Sequence, residues 1–376
     1  MKNSYLDKIK PYKTASHKIW DVEASERSSV LKLDWNEATM SPSDEVKKRI
    51  KKLAEQGDFY NLYPSTNNLE LMGLISKYVG LPEKNIQYFA GSDSIHEYIS
   101  KLYVKEGDKV VIQGPSYDNF RLTVESCGGE VFFSEVGPGF LFDSEKFEND
   151  LNIIKPRFVY ICNPNNPIGY THATDYIEKL LNMYPSVMFL IDEAYAEFSN
   201  TSAKDLVLKY DNILVTRTMS KAFALANFRF GYLISSEENV RDVSSIRNAK
   251  NISTFAQEAA IGALSDVEHM KSYVEEVTRA RGLLADGLGK YREVLTPYNS
   301  KANFITMKFK EEKVKSGFIG FLLKNNIYIR ELSHSPLLHK CVRITVGTEE
   351  QISKVLGVID EFFNSEEHHE TQVSSI

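Results

Sequence analysis

Between residues 85 and 235, short runs rich in Val, Ile, Phe and Tyr alternate with longer stretches of helical character. That alternation restricts the chain to an α/β architecture. Strands are predicted at residues 109–113, 130–133, 157–162, 188–192, 213–217 and 231–235. Most are apolar throughout rather than alternating, which fits strands buried on both faces of a mainly parallel sheet covered by helices. After residue 250 the pattern changes to a long helical stretch at 266–288. Three further strand-like runs follow, at 302–308, 327–330 and 342–346, with helix-like segments after the first and the third, giving a smaller α+β domain. The expected division is an N-terminal arm at 1–30, a small domain from 31–64 and 270–364, a large domain at 65–269 and a disordered tail at 365–376, whose composition is too poor in apolar residues to pack.

Composition narrows the class of partner. With 45 basic and 51 acidic residues the net charge is −6, and no Lys/Arg-rich run marks a nucleic-acid or anionic-membrane footprint. A small molecule is the expected partner. Cys127, Cys162 and Cys341 are odd in number, widely spread and without metal-ligand spacing, which argues for a reducing compartment rather than a disulfide framework. The N-terminus lacks the apolar stretch of a signal peptide, and no apolar run approaches the about 20 residues of a membrane helix. A cytoplasmic protein is expected.

In open α/β sheets ligands bind at the carboxyl ends of the strands. Here those positions hold NPNNPIG at 163–169, DEAY at 192–195 and TMSK at 218–221, with Arg229 shortly after. A further strand is expected at 85–90, followed by a Gly91-Ser92-Asp93 turn. Ser94 and Glu97 then have the spacing of a capping box opening a helix. Free N–H groups at such a helix start favour a phosphate, although the motif alone more often marks an ordinary helix start.

Together these pieces resemble the fold-type-I pyridoxal-phosphate enzymes, with an aspartate-aminotransferase-like fold, and within them the histidinol-phosphate aminotransferase branch. The run TMSKAFALANFRFGY at 218–232 is similar to the family's lysine segment, NPNNPIG to its NPNNPTG turn, and DEAY to its strand end. The resemblance implies pyridoxal 5'-phosphate as cofactor, joined to Lys221 as a Schiff base, with Lys221 also moving the proton at the substrate carbon. It implies Asp192 against the ring nitrogen, Asn166 and Tyr195 on the ring's 3-oxygen, and Tyr117 stacked on the ring. Thr218, Ser220 and Arg229, with the backbone of Ser92 and Asp93, would hold the cofactor phosphate. Tyr63 would reach that phosphate from a neighbouring subunit, implying a homodimer with shared active sites. Arg343 matches the carboxylate-binding arginine, and Arg330 the arginine that grips a substrate phosphate; Asn166 also borders the substrate.

Plainer readings stand beside several of these: a core tyrosine for Tyr117, a turn tyrosine for Tyr63, surface salt bridges for Arg330 and Arg343. In the run Val342-Arg-Ile-Thr-Val346 strand alternation turns Arg343 and Thr345 away from the core. The chain departs from the branch in lacking proline after Asn36-Glu37, in carrying Ser94 where an acidic residue is usual, and at Asp118-Asn119-Phe120. These departures bear on the substrate rather than the chemistry. The expected activity is transamination of a small phosphorylated amino compound with an amino/2-oxo acid partner, histidinol phosphate being the first candidate. A phospho-amino-acid decarboxylase and a non-catalytic cofactor-binding protein are the alternatives.

Overall fold

The computed structural model describes residues 3–9, 18–57, 59–332 and 335–365. Residues 366–376 of the expected tail, and residues 1–2 and 10–17 of the expected arm, lie outside the described residues. Among those described, twelve strands occur: β1 (Leu31–Leu33), β2 (Ile86–Phe89), β3 (Lys109–Gly114), β4 (Glu130–Glu135), β5 (Phe158–Cys162), β6 (Met188–Asp192), β7 (Ile213–Thr218), β8 (Gly231–Ser235), β9 (Leu295–Pro297), β10 (Phe304–Phe309), β11 (Ile327–Leu332) and β12 (Cys341–Thr345). The chain divides into two compact units. The larger holds Ser41–Asn166 and Thr171–Lys271 with residues 3–9, and the smaller holds Pro167–Tyr170 with residues 18–40 and 272–365.

The larger unit carries a seven-stranded sheet in the order β2-β8-β7-β6-β5-β3-β4. β3 to β7 pair in parallel, whereas β8 runs antiparallel to both β7 and β2. The central strands β5 to β8 are buried almost throughout, as strands covered on both faces must be. On one face the helices Ser92–Tyr103 and Asn119–Ser126 contribute Ile95, Ile99, Phe120 and Val124 to a core with Phe158, Tyr160, Leu190, Leu214 and Leu233. Each such side chain contributes about 1.5–3 kcal/mol by leaving water. Because β2 and the parallel strands all point the same way, their carboxyl ends, and the amino end of β8, share one edge of the sheet.

Residues 41–64, expected with the smaller domain, fold with the larger unit instead. The helix Asp44–Ala54 packs on the helix Thr254–Ser265 at Gly262, where an added Cβ would lie 2.8 Å from the Cα of Val46. Only a glycine permits that approach.

The smaller unit has a five-stranded sheet in the order β1-β11-β12-β10-β9, in which only β1 and β11 pair in parallel. The helices Glu312–Lys324 and Glu349–Asn364 accompany it. The second opens with a reciprocal capping box between Thr348 and Gln351. The last of the crossings between the units falls within the helix Val267–Leu288, after Lys271.

Candidate active site

At the end of β6 the carboxylate of Asp192 is buried and satisfied by donors on both oxygens. Tyr160 Oη donates to Oδ2 at 2.8 Å, and the Ala194 N–H donates to Oδ1 at 3.1 Å. Burial first, and then the neighbouring Asp192, push the Tyr160 hydroxyl and the Cys162 thiol well up, so both keep their protons and Tyr160 is a permanent donor. His96 completes the surroundings, its Nε2 3.7 Å from Asp192 Oδ2.

Three residues beyond Asp192, the Tyr195 hydroxyl accepts a 3.1 Å hydrogen bond from Asn166 Nδ2, so the two polar groups meet at one point. Lys221 Nζ lies 5.9 Å from the centroid of the Tyr195 ring. Lys221, Asn166, Tyr195 and Asp192 are thus gathered at one edge of the sheet, each delivered by the loop or strand end expected to carry it.

The segment after β7 is held in an uncommon backbone conformation. Ala224 and Arg229 have φ of 58° and 53°, left-handed values that non-glycine residues rarely adopt and that concentrate at functional sites. Ser220 N–H donates to Thr218 Oγ1, and Thr218 Oγ1 donates to Ser220 Oγ at 2.9 Å. The Arg229 guanidinium donates to Ser220 Oγ at 3.4 Å and to Asp93 Oδ2 at 3.0 Å. It lies where a side chain on Gly91 would stand, since an added Cβ there would be 2.9 Å from Arg229 Nη2. Tyr117 Oη and Asn119 Nδ2 each donate to Asp93 Oδ1 at 3.2 Å. Asp93, Tyr117, Thr218, Ser220 and Arg229 therefore form one hydrogen-bonded group, and Ser92 precedes Asp93 at the start of the helix Ser92–Tyr103.

The helix start itself differs from expectation. Gly91, with φ of 84°, is the N-cap residue and the helix begins at Ser92, so no capping box forms between Ser94 and Glu97. The Ser94 hydroxyl instead donates back to the Gly91 carbonyl. The left-handed glycine opens the helix three residues early, and the free N–H groups belong to Ser92 and its neighbours.

Tyr63 is 82% exposed, with Lys250 Nζ 4.9 Å above its ring. In the smaller unit, Arg330 and Arg343 face each other across β11 and β12. Arg343 is buried rather than turned to solvent: Asn36, at φ of 55°, brings residues 34–36 over that face, where Arg343 Nη2 donates to the Asp34 carbonyl and Thr345 Oγ1 bonds Asn36. The Arg343 guanidinium lies 5.3 Å from the Phe304 ring, and that of Arg330 lies 6.0 Å from the Trp35 ring.

Two features besides His96 escaped the sequence. Tyr160 carried a usable signal, a phenol in an otherwise apolar buried strand, which needs a partner. The other is a buried ion pair: Arg217 donates to Glu193 Oε2 at 3.0 and 2.8 Å, and Glu193 also accepts from Ser202 Oγ and the Ala203 N–H. It ties the residue after Asp192 to the residue before Thr218, fixing the ends of β6 and β7 against each other.

The residues present fit pyridoxal 5'-phosphate. A hydroxyl and guanidinium cradle at a helix start suits its phosphate, a buried carboxylate suits its ring nitrogen, the Asn166 and Tyr195 pair suits its phenolic oxygen, and an adjacent lysine amine suits its aldehyde. Comparison with known proteins agrees. The aminotransferase class I and II family matches residues 28–359. A dihydroxyacetone phosphate transaminase of Campylobacter jejuni is 40% identical over 367 residues, covering 96% of each chain. A histidinol-phosphate aminotransferase of Ruminiclostridium cellulolyticum is 33% identical, covering 89% of this chain and 92% of its own. Among solved structures, the histidinol-phosphate aminotransferase of Sinorhizobium meliloti in complex with pyridoxal 5'-phosphate superposes with a TM-score of 0.84 at 23% identity, covering 96% of each chain.

Proposed function

We infer the reaction from one premise: the chain belongs to the aminotransferase class I and II family and is a fold-type-I, pyridoxal-phosphate-dependent aminotransferase. We propose that it moves an amino group between an amino acid and a small phosphorylated carbonyl compound. A three-carbon ketone phosphate, as named for the Campylobacter jejuni relative, is the first candidate, as amino acceptor; histidinol phosphate, as named for the Ruminiclostridium cellulolyticum relative, is the second, as an amine that gives its amino group to a 2-oxo acid. The observation that carries the anionic substrate is the cross-strand pair of Arg330 and Arg343. The planar fork of a guanidinium donates two parallel hydrogen bonds to a carboxylate or a phosphate.

The bound cofactor supplies an aldehyde for the substrate amine and a protonated ring that takes up the electron pair freed at the substrate carbon. Lys221 Nζ would hold the cofactor through its aldehyde and, when freed by the substrate amine, would carry the proton to and from the substrate carbon. Asp192 would partner the ring nitrogen. Asn166 Nδ2 and Tyr195 Oη would hold the phenolic oxygen, and Tyr117 would stack on the ring. Thr218, Ser220, Arg229 and the backbone N–H groups of Ser92 and Asp93 bind the phosphate. Arg343 binds the carboxylate of the amino/2-oxo acid partner, and Arg330 the phosphate of the other substrate.

The reading extends to a homodimer, in which Tyr63 reaches the partner's cofactor phosphate. Supporting it, Tyr60, Leu62, Tyr63 and Leu69 are 63%, 64%, 82% and 71% exposed, a run of apolar surface suited to cover by a second copy. A cytoplasmic location accords with three free thiols. Among the described residues no helix is long and apolar enough to cross a membrane.

The test is to mix the cofactor-loaded protein with glutamate and then with dihydroxyacetone phosphate or unphosphorylated dihydroxyacetone, and separately to mix the loaded protein with L-histidinol phosphate or phosphothreonine, following the cofactor's visible band. Conversion to the pyridoxamine form by the amino donor, reversed only by a phosphorylated carbonyl acceptor, is expected with dihydroxyacetone phosphate. Conversion by L-histidinol phosphate as amino donor would select the second candidate. Release of carbon dioxide from phosphothreonine without that conversion would replace transamination by decarboxylation.

A further inference from the structure

Within the helix Ser92–Tyr103 the inward face carries Ile95, Ile99 and, between them, His96, which is fully buried. Packing alone would be served by another aliphatic residue, since the imidazole sits edge-on between the rings of Phe120 and Tyr160, with centroids at 5.6 and 5.8 Å and interplanar angles of 83° and 85°. A buried polar ring needs a use for its nitrogens. Nε2 faces two oxygens, Thr216 Oγ1 at 3.4 Å and Asp192 Oδ2 at 3.7 Å. Nδ1 has no hydrogen-bond partner among the described residues. A proton on Nδ1 would be an orphaned buried donor, whereas an N–H at Nε2 is aimed at that oxygen pair. At 3.7 Å the contact with the carboxylate is a charge–dipole interaction rather than a hydrogen bond.

We propose that His96 is a positioning residue that acts on the cofactor ring through Asp192. The proposal rests on the reading of Asp192 as partner of the ring nitrogen. The groups around this carboxylate are Tyr160 and Cys162 from β5, Thr216 from β7 and His96 from the helix. The same helix presents Ser92 and Asp93 at its start, so one rigid element serves both the phosphate and the ring ends of the site. Removing the Nε2–H dipole makes Asp192 a stronger base toward the ring-nitrogen proton. A ring that is less fully protonated leaves the proton on the Lys221 nitrogen more firmly held.

The experiment compares His96→Leu, His96→Gln and Asp192→Asn holoenzymes by pH titration of the visible band, with 15N spectra of the wild-type apo-protein and thermal melts of each variant. The expected wild-type spectrum places the His96 proton on Nε2. In His96→Leu the titration midpoint should rise by about half a unit or more, while His96→Gln, whose amide can present an N–H near the same point, returns toward wild type. A folded His96→Leu with an unchanged midpoint, or equal shifts in the Leu and Gln variants, would reduce His96 to packing. An unchanged midpoint in Asp192→Asn would instead overturn the role of Asp192 and the proposal with it.

Discussion

Replacing Gly231 by alanine tests the phosphate cradle without touching any side chain assigned to it. Gly231 opens β8, pairing with Phe89 on one side and Thr218 on the other. An added Cβ would stand 2.8 Å from the Arg217 carbonyl oxygen, 2.8 Å from the Ser92 nitrogen and 2.9 Å from the Gly91 carbonyl carbon. All three are backbone atoms, so no rotamer relieves the contact. The strand or the turn must give by roughly half an ångström, and overpacking of that kind costs about 1–3 kcal/mol. Because Ser92 N–H is one of the proposed phosphate donors, its displacement also weakens a charge-assisted hydrogen bond of about 1.5–3 kcal/mol. The cofactor dissociation constant should therefore rise roughly 10- to 150-fold. Titration of the apo-protein with pyridoxal 5'-phosphate, read by absorbance, measures this, and a parallel melt reports the packing cost. A folded Gly231→Ala protein that binds the cofactor as tightly as wild type would refute the cradle at residues 91–93.

Gly282→Ala is the contrasting case: nothing lies within 4 Å of its added Cβ inside the helix Val267–Leu288, so stability should rise by about 0.5–1 kcal/mol in a denaturant melt, with cofactor affinity unchanged. His172 is buried against Gln113, and burial lowers its pKa from 6.5 to about 4. The unfolded chain then binds more protons between those values, so stability is fully present above pH 6.5 and falls as pH drops toward 4, by about 3 kcal/mol in all. His172→Gln should flatten that part of a urea-midpoint profile, and an unaltered slope would count against it. Burial pushes the half-buried Glu135 carboxyl up despite Lys146. Its contribution is lost as pH rises through the folded value, so Glu135→Gln should be more stable than wild type at neutral pH and lose that advantage in acid, as followed by thermal melts.

The sequence was most legible where burial is symmetric. β5, β6 and the first half of β7 read as unbroken apolar runs because both their faces are covered, and the polar residues that follow stand out for the same reason. The direction of β8 was not legible, since an antiparallel strand inside this sheet is as apolar as its parallel neighbours. β1 and β9, at three residues each, are too short to show a period. The capping box at Ser94 was a local match overruled by Gly91, whose left-handed conformation opens the helix three residues earlier. Arg343 follows strand alternation, but alternation cannot reveal that residues 34–36 fold over its face. His96 and the Glu193–Arg217 pair went unseen because each depends on residues brought together from distant parts of the chain.

The account stands on the bond between the cofactor and the side chain of Lys221. Borohydride reduction of the loaded protein, followed by proteolysis and peptide mass spectrometry, locates that bond directly. The expected result is a single reduced pyridoxyl group on the peptide containing Lys221, absent from Lys221→Ala. A group found on another lysine, or its persistence in that variant, would contradict the account.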